Sequence, residues 1–261
     1  MTGVEVIAAA FARSDKRAAL MPYLMGGFPD IESSLAIGHA YADGGADLIE
    51  LGIPYSDPLA DGPVIQAAGA QALRAGSTVA SVLEVAGELS GRLPVVVMCY
   101  ANLVLSRGQD QFASALAQAG VSGLIVPDLP IEEAPTLLAA CDDRGVALVP
   151  LVAPTTPDQR MAKIGSRARG FLYTVAVTGT TGERSQQPTD LAAVVKRARC
   201  HTDVPVAVGF GISTPQDADG AAQAGAQGVI VGTRLVRAAA ESKNPAEAVR
   251  ALVSDFAGAL R

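Results

Sequence analysis

The sequence predicts a TIM (β/α)8 barrel, formed by a single domain over residues 1–261, with an extra N-terminal helix. Short β-branched runs alternate with Ala-rich helical patterns, a glycine-containing phrase recurs before several of these runs, and a length of 261 residues suits one barrel. Hydrophobic residues make up 49% of the chain and aromatic residues only 4%. The core must therefore consist mainly of Ala, Val, Leu and Ile, as in packed helices and parallel strands.

Eight runs of the chain are predicted as strands. They are residues 20–25, 47–51, 95–99, 123–126, 147–151, 171–175, 206–208 and 228–231. Helical stretches between them include residues 33–43, 111–119, 132–143, 158–166, 189–200, 215–224 and 245–260, and residues 4–13 form the extra helix. This alternation implies a parallel sheet with right-handed crossovers.

A glycine marks the end of several predicted helices. Gly45, Gly120, Gly145 and Gly225 each stand just before a predicted strand, which is typical of the loop from a helix to a strand. The recurrence indicates that one βα unit is repeated, and eight such units can close into a barrel. A doubly wound open sheet is the alternative arrangement.

The second predicted strand carries a carboxylate, Glu50, one residue before its end. Glu50 begins the segment Glu-Leu-Gly-Ile-Pro-Tyr-Ser-Asp-Pro-Leu-Ala-Asp-Gly-Pro of residues 50–63. Because strand side chains alternate, Glu50 shares a face with Leu48, and a barrel carries its chemistry on the loops after its strands. Burial at the barrel mouth would raise the pKa of Glu50 and suit it to acid–base catalysis. The alternative is a structural Glu50 that turns outward or pairs with a basic residue.

Three prolines stiffen the loop after this strand. Pro54, Pro58 and Pro63 each fix φ, so the loop holds Asp57 and Asp61 in defined positions. Each aspartate taken alone is also an ordinary turn residue. The stiffness of the whole loop favours a positioned carboxylate.

Glycine-rich turns follow the last two predicted strands. Gly209, Gly211 and Gly232 would let the backbone approach an anion closely, and the hydroxyls of Ser213 and Thr233 could add donors. Barrels often bind phosphate at this corner through backbone N–H groups and a helix N-terminus. The sequence therefore predicts a phosphate site here.

The Gly- and Thr-rich loop of residues 178–184 follows the sixth predicted strand and has almost no apolar residues. We expect a lid that closes over substrate, the alternative being an ordinary surface loop. Tyr173, just before it, shares a face with Phe171 and Val175, so its hydroxyl could reach the barrel mouth; a core tyrosine is the alternative.

The net charge, the apolar runs and the positions of Lys, His and Cys disfavour several classes of function. The net charge is −6 and no basic stripe is present, which disfavours nucleic acid and an anionic membrane surface as partners. With no leader-like N-terminus and no apolar run long enough to cross a bilayer, we expect a cytoplasmic protein. No lysine ends a predicted strand, which disfavours a Schiff base, and the two histidines and three cysteines form no cluster for a metal.

Several segments together resemble one known family, the tryptophan synthase alpha chain. They are residues 50–63, Met-Gly-Gly-Phe-Pro-Asp at 25–30, Tyr-Ala-Asn-Leu-Val at 100–104, Val-Pro-Asp-Leu-Pro at 126–130, the Thr-Gly loop, and Gly-Phe-Gly-Ile-Ser at 209–213. The resemblance covers nearly the whole chain. It implies cleavage of indole-3-glycerol phosphate to indole and glyceraldehyde 3-phosphate.

The resemblance also implies individual roles. Glu50 would be the catalytic acid–base, Asp61 the carboxylate that holds the indole N–H, and Tyr173 a substrate-site tyrosine. Thr181 would be a lid threonine that engages Asp61 on closure. Gly182, Gly211 and Gly232 would bind phosphate, where Thr233 stands in place of the serine expected for the family. Tyr23, Ile65, Ile125 and Phe210 are predicted to line an apolar slot for indole.

By the same resemblance the partner is a tryptophan synthase beta subunit in an alpha2beta2 tetramer. Asp57, Pro58 and Asn102 match positions that face this partner. Pyridoxal phosphate is expected only in the beta subunit, and no cofactor in this chain. A flavin oxidoreductase that holds FMN at the same phosphate corner and a non-catalytic regulatory subunit are the alternative functions.

Overall fold

The structure, a computed structural model, describes residues 1–175 and 191–261. The strands there are β1 Ala19–Met25, β2 Ile49–Gly52, β3 Val95–Met98, β4 Gly123–Ile125, β5 Ala147–Val149, β6 Leu151–Val152, β7 Leu172–Val175, β8 Val206–Gly209 and β9 Gly228–Val231. The helices are α1 Gly3–Arg13, α2 Ile31–Asp43, α3 Pro63–Arg74, α4 Val79–Ser90, α5 Ala101–Leu105, α6 Gln109–Gln118, α7 Pro135–Arg144, α8 Asp158–Gly165, α9 Leu191–Arg199, α10 Pro215–Gln223, α11 Thr233–Glu241 and α12 Pro245–Ala259.

The strands form one parallel sheet in the order β5-β4-β3-β2-β1-β9-β8-β7-β6. The two ends of this order, β5 and β6, are consecutive in the chain and are separated by Pro150 alone. The carbonyl of Pro150 accepts a hydrogen bond from the N–H of Tyr173 at 3.0 Å. The sheet is thereby closed into a barrel, and the predicted fold class is confirmed.

The predicted fifth strand, residues 147–151, is divided in two. Its first part pairs with β4 and its second part with β7. Pro150 lies between them because a proline has no N–H to donate to a strand ladder. The eight strand positions predicted from the sequence therefore correspond to nine strands in the described residues. Helices α3, α4, α5 and α11 lie outside the helical stretches named from the sequence.

The recurring glycines end helices as predicted. Gly45, Gly120, Gly145 and Gly225 all have a positive φ, between 69° and 95°. After each glycine the next backbone N–H bonds the carbonyl five residues earlier, as Ala46 does to Tyr41 at 3.1 Å. This pattern satisfies the last helical carbonyls and turns the chain toward the next strand.

Helix α1 covers the N-terminal face of the barrel. It begins with a capping box in which the Thr2 side chain and Glu5 bond each other's backbone N–H. Ile7 is fully buried, and a Cβ built on Gly123 or Gly170 would lie 3.1 Å or 3.0 Å from its Cδ1 atom. Since this end of the barrel is packed, the opposite face is the one that can receive a ligand.

The barrel core consists of small aliphatic side chains. All residues of β1, β2, β3, β8 and β9 are buried, as expected for parallel strands covered on both faces. None of the helices described is long and apolar enough to cross a membrane.

Candidate active site

A cavity of about 540 Å³ opens at the C-terminal ends of the strands. Its walls combine two carboxylates, two tyrosines, apolar side chains and a glycine-rich corner. The described residues that line it are Tyr23, Glu50, Asp61, Ile65, Met98, Tyr173, Phe210, Gly211, Ile212, Ile230, Gly232 and Thr233. This is the face on which barrels carry their chemistry.

Glu50 lies in β2 directly opposite Tyr23 of β1. Its side chain reaches the cavity, and the residue is only 1% exposed. Burial, together with the nearby Asp61 carboxylate, raises the pKa of Glu50 to about 8. The Oε2 atom of Glu50 has no hydrogen-bond partner in the described part of the chain. Glu50 can therefore carry a proton near neutral pH and present it to a bound molecule.

Asp61 lies in the loop between β2 and α3, two residues before Pro63 begins that helix. Its backbone carbonyl accepts a hydrogen bond from Nε2 of Gln66 at 2.8 Å. Burial raises the pKa of the Asp61 carboxyl, and a hydrogen bond with the Tyr100 hydroxyl opposes this shift. The N-terminus of α3 also favours a negative charge at this position. Asp61 is thus suited to remain ionised beside an uncharged Glu50.

Two tyrosines of the cavity wall pack in the same way. A Cβ built on Gly52 would lie 2.0 Å from the hydroxyl oxygen of Tyr23, and one on Gly209 would lie 2.1 Å from that of Tyr173. In each case the glycine ends the neighbouring strand, opposite the residue two positions after the tyrosine. Burial raises the pKa of both phenols. The negative charge of Asp61 raises the pKa of Tyr23 further, and that of Glu50 raises the pKa of Tyr173 further. Both hydroxyls therefore stay protonated.

The glycine-rich corner presents backbone rather than side chains. Phe210 and Gly211 both have a positive φ, 65° and 91°, and the Phe210 ring contacts Tyr173 edge-on with centroids 5.9 Å apart. Gly232 precedes Thr233, the first residue of α11. The first N–H groups of this nine-residue helix have no partner within the helix and could bind an anion.

One hydroxyl suggested for this corner is engaged elsewhere. Ser213 Oγ donates to the Asp217 carboxylate at 2.9 Å, where it helps to form the start of α10. The Ser213 hydroxyl is thus directed at Asp217, and its donation to a phosphate stays a prediction. Thr233 lines the cavity and keeps its place in the predicted corner.

Ile125 is the one described residue of the predicted indole slot that lies away from the cavity lining. It ends β4 and is fully buried. The neighbouring strand contributes Met98, which pairs with Ile125 in the sheet and does line the cavity. Met98 thus takes the place in the cavity wall that the sequence had suggested for Ile125, and a contact of Ile125 with indole stays a prediction.

The residues predicted to face a partner lie outside the cavity on the same end of the barrel. Asp57 and Asn102 are exposed and Pro58 is half-buried. Asn102 Nδ2 donates to the Tyr55 hydroxyl at 2.9 Å. Leu59, which follows Pro58 in the chain, is 75% exposed. Thr181, Gly182 and the predicted lid, residues 178–184, lie outside the described residues.

Four residues of the site were not identified from the sequence: Met98, Tyr100, Ile212 and Ile230. Strand alternation could have indicated Met98. Val96 pairs with Glu50 across the sheet, and Met98, two residues further along β3, lies on the same inward face. The position of Tyr100 had no such signal, because it depends on a contact between loops 39 residues apart. In the described ranges no group of three or more His, Cys, Asp or Glu side chains could hold a metal ion.

Comparison with known proteins points to one family. The family model described as "Tryptophan synthase alpha chain" matches residues 9–260. The tryptophan synthase alpha chain of Prochlorococcus marinus is 49% identical over 248 residues, which cover 94% of this chain and 88% of the relative. That of Methanopyrus kandleri is 45% identical over 237 residues, 91% of this chain and 86% of the relative.

Solved structures agree with these sequence matches. A chain of tryptophan synthase from Mycobacterium tuberculosis superposes with a TM-score of 0.90 at 40% identity, covering 98% of both chains. The tryptophan synthase alpha chain from Legionella pneumophila superposes with a TM-score of 0.88 at 33% identity, covering 100% of this chain and 97% of the other. The similarity extends over the whole barrel, including the elements that carry the cavity.

Proposed function

The chain belongs to the tryptophan synthase alpha chain family, and from this premise we propose that Glu50 and Asp61 carry out its reaction. That reaction is the retro-aldol cleavage of indole-3-glycerol phosphate, a step of tryptophan biosynthesis, and the chain is a carbon–carbon lyase. The observation that carries the residue assignment is a single one. A buried glutamic acid with a pKa of about 8 shares a cavity with a second carboxylate.

The first step that we assign is protonation of the indole ring. Indole is a poor leaving group until C3 receives a proton, which converts the ring to an indolenine. Glu50 supplies that proton, because burial keeps its carboxyl neutral near pH 7. Its unpartnered Oε2 atom is free to point toward the ring.

Asp61 stabilises the positive charge that results. Protonation at C3 leaves the ring N–H cationic, and a carboxylate that accepts this N–H lowers the energy of the intermediate. The start of α3 favours the ionised form of Asp61 that this role needs. The two carboxyl groups thus take opposite protonation states in one cavity, as acid–base assignments require.

The bond between C3 and the glycerol chain then breaks. Glu50, now ionised, takes the proton from the hydroxyl on the adjacent carbon as that carbon becomes an aldehyde. The electron pair of the broken bond returns to the ring, which leaves as indole with the donated proton on C3, and Glu50 is left protonated by the hydroxyl proton. The products are indole and glyceraldehyde 3-phosphate, and the enzyme returns to its starting state.

Substrate position is set at both ends of the cavity. We assign the phosphate to the corner of Gly211, Gly232 and Thr233, where the backbone and the start of α11 favour an anion. The apolar wall of Ile65, Met98 and Phe210 suits the flat indole ring, with Tyr23 and Tyr173 closing its sides. Binding at the distant phosphate helps to hold the reacting atoms in line.

Further parts of the proposal rest on the family rather than on the cavity. Thr181 and Gly182 would close over the substrate, with Thr181 engaging Asp61. The chain would work in the cytoplasm in an alpha2beta2 tetramer, with Asp57, Pro58 and Asn102 facing a beta subunit that holds the pyridoxal phosphate. The alpha reaction itself would use no cofactor.

The decisive experiment is an assay of indole release from indole-3-glycerol phosphate by the purified chain, with and without a beta subunit. We expect indole and glyceraldehyde 3-phosphate in equal amounts. A preparation that is yellow and releases no indole would instead support the FMN-dependent alternative. A chain that accelerates a beta subunit but releases no indole in either condition would support the regulatory one.

A further inference from the structure

Tyr100 takes no part in the reaction as assigned above, yet its hydroxyl lies against the loop that carries Asp61. The residue directly precedes α5 and is only 4% exposed. Its hydroxyl oxygen accepts a hydrogen bond from the backbone N–H of Ala60 at 3.0 Å. The same hydroxyl lies close enough to the Asp61 carboxylate for the two groups to shift each other's pKa. One phenol therefore contacts two consecutive residues of the loop.

The direction of these bonds follows from the chemistry of a phenol. A neutral tyrosine has a single O–H proton and accepts through its oxygen. The Ala60 N–H can only donate, so the phenol oxygen accepts there and its proton is left for the carboxylate. Burial raises the pKa of Tyr100, which keeps this proton on the phenol. The O–H is thus available to donate to an ionised Asp61, and such a bond is stronger than one between neutral groups.

Tyr100 is itself held firmly. The next backbone N–H, that of Ala101, donates to the Asp128 carboxylate at 2.8 Å. The Tyr100 ring packs against that of Tyr55, with centroids 5.4 Å apart. Backbone and ring contacts therefore fix the direction from which the phenol approaches Asp61.

We propose that Tyr100 is a positioning residue that orients the Asp61 carboxylate and keeps it ionised for contact with the indole N–H. This inference deepens the function proposed above and rests on it. Tyr100 would act through Asp61 alone and would exchange no proton with the substrate.

The surroundings of Asp61 show why such a residue is needed. Among the described residues, the titratable groups that interact electrostatically with this carboxylate are Glu50 of β2, Tyr23 of β1 and Tyr100. Glu50 carries no positive charge in either state, and the Tyr23 hydroxyl bonds only weakly to the sulfur of Met25 at 3.9 Å. Burial thus pushes Asp61 toward its neutral form, and the Tyr100 hydroxyl is the side-chain contact that opposes it.

The test compares the wild-type chain with Tyr100→Phe, using Tyr55→Phe as the matched control. Both changes remove one phenol oxygen and keep the ring, but only the first removes a contact with Asp61. The measurements are the pH profile of kcat/KM for indole release and the titration of Asp61 followed by NMR of carboxyl-labelled aspartate. For Tyr100→Phe we expect the acid limb of the profile to move upward by about one pH unit, and the Asp61 titration to move with it. Tyr55→Phe should leave both in place.

Substitution with 3-fluorotyrosine at position 100 extends the test in the opposite direction. Fluorine makes the phenol a stronger donor without changing its shape, so the acid limb should move to lower pH. This variant also decides the matter if Tyr100→Phe does not fold. An acid limb and an Asp61 titration that stay at the wild-type position in whichever variants fold would overturn the inference.

The role of Asp61 is tested separately by Asp61→Asn. If Asp61→Asn keeps full activity, the assignment of Asp61 under the proposed function is wrong. If Asp61→Asn is impaired while Tyr100→Phe titrates like the wild type, only the inference about Tyr100 fails.

Discussion

The hydroxyl oxygen of Tyr173 occupies the space that a side chain at Gly209 would need, since a Cβ built on Gly209 would lie 2.1 Å from it. Tyr173 in β7 and Gly209 at the end of β8 are 36 residues apart, and Gly209 pairs with Val175 across the sheet. The absence of a side chain at Gly209 therefore leaves room for the Tyr173 hydroxyl in the cavity wall.

We predict that Gly209→Ala displaces the Tyr173 ring toward the cavity and lowers kcat/KM for indole release by about 10²-fold. Overpacking of this kind also lowers the free energy of unfolding, by about 1–3 kcal/mol. Steady-state kinetics and thermal unfolding check the two effects. Gly220→Ala is the matched control, because its added Cβ meets no heavy atom within 4 Å in helix α10. Equal behaviour of the two variants would show that the contact with Tyr173 has no consequence.

Glu50→Gln removes the acid–base group and keeps its volume. We expect turnover to fall by about 10²–10⁴-fold, while glycerol 3-phosphate, which binds only the phosphate corner, keeps its affinity. Rates of indole release and calorimetric titration measure the two quantities. Glu84→Gln, on the exposed face of α4, serves as the control. Near-normal turnover of Glu50→Gln would remove Glu50 from the mechanism.

Asp61→Asn should be severely impaired as well. A neutral amide cannot stabilise the cationic ring N–H as a carboxylate does, and a lost charge-assisted contact in a buried site costs about 10²–10³-fold in kcat. Single-turnover rates at saturating substrate report this loss directly. Asp143→Asn changes an exposed aspartate of α7 and should retain the wild-type rate. Wild-type rates for Asp61→Asn would contradict its assignment.

The raised pKa of Glu50 also makes folding stability depend on pH. The folded state holds the proton up to about pH 8, whereas an unfolded glutamate loses it near its ordinary pKa. The stability that this proton contributes is therefore fully present below the ordinary pKa and declines as pH rises through about 8. Glutamine does not ionise, so Glu50→Gln should become more stable than the wild type as pH rises, by a few kcal/mol at pH 8.

Denaturant unfolding of wild type and Glu50→Gln at about pH 5 and pH 8 checks this expectation. The difference in unfolding free energy between the two chains should grow between these values. A difference that is constant with pH would mean that Glu50 ionises normally in the folded chain.

The isolated chain should be a slow enzyme that a beta subunit stimulates. Asp57 and Leu59 are exposed on the loop that carries Asp61, and the exposed Asn102 bonds Tyr55 of the same loop, so a partner that orders this surface would also order the carboxylate. Indole release with increasing beta subunit, against an equal amount of an unrelated protein, measures the effect. Identical rates throughout would rule out such coupling.

The sequence by itself determined the barrel and the position of Glu50. Both depend on local regularities: the alternation of strand and helix, the glycine after each helix, and the period of two that places Glu50 on the inward face with Leu48. The proline-rich loop likewise indicated that Asp61 is held in place. Such patterns can be read because each relates residues within one element or one loop.

Only the tertiary structure decided which groups meet around those two carboxylates. The contact of Tyr100 with Asp61, the packing of Tyr173 over Gly209, the place of Met98 rather than Ile125 in the cavity, and the division of the fifth strand at Pro150 all depend on how separate segments align across the barrel. Strand register and loop approach arise from packing summed over the whole core, and no short stretch of sequence carries that sum.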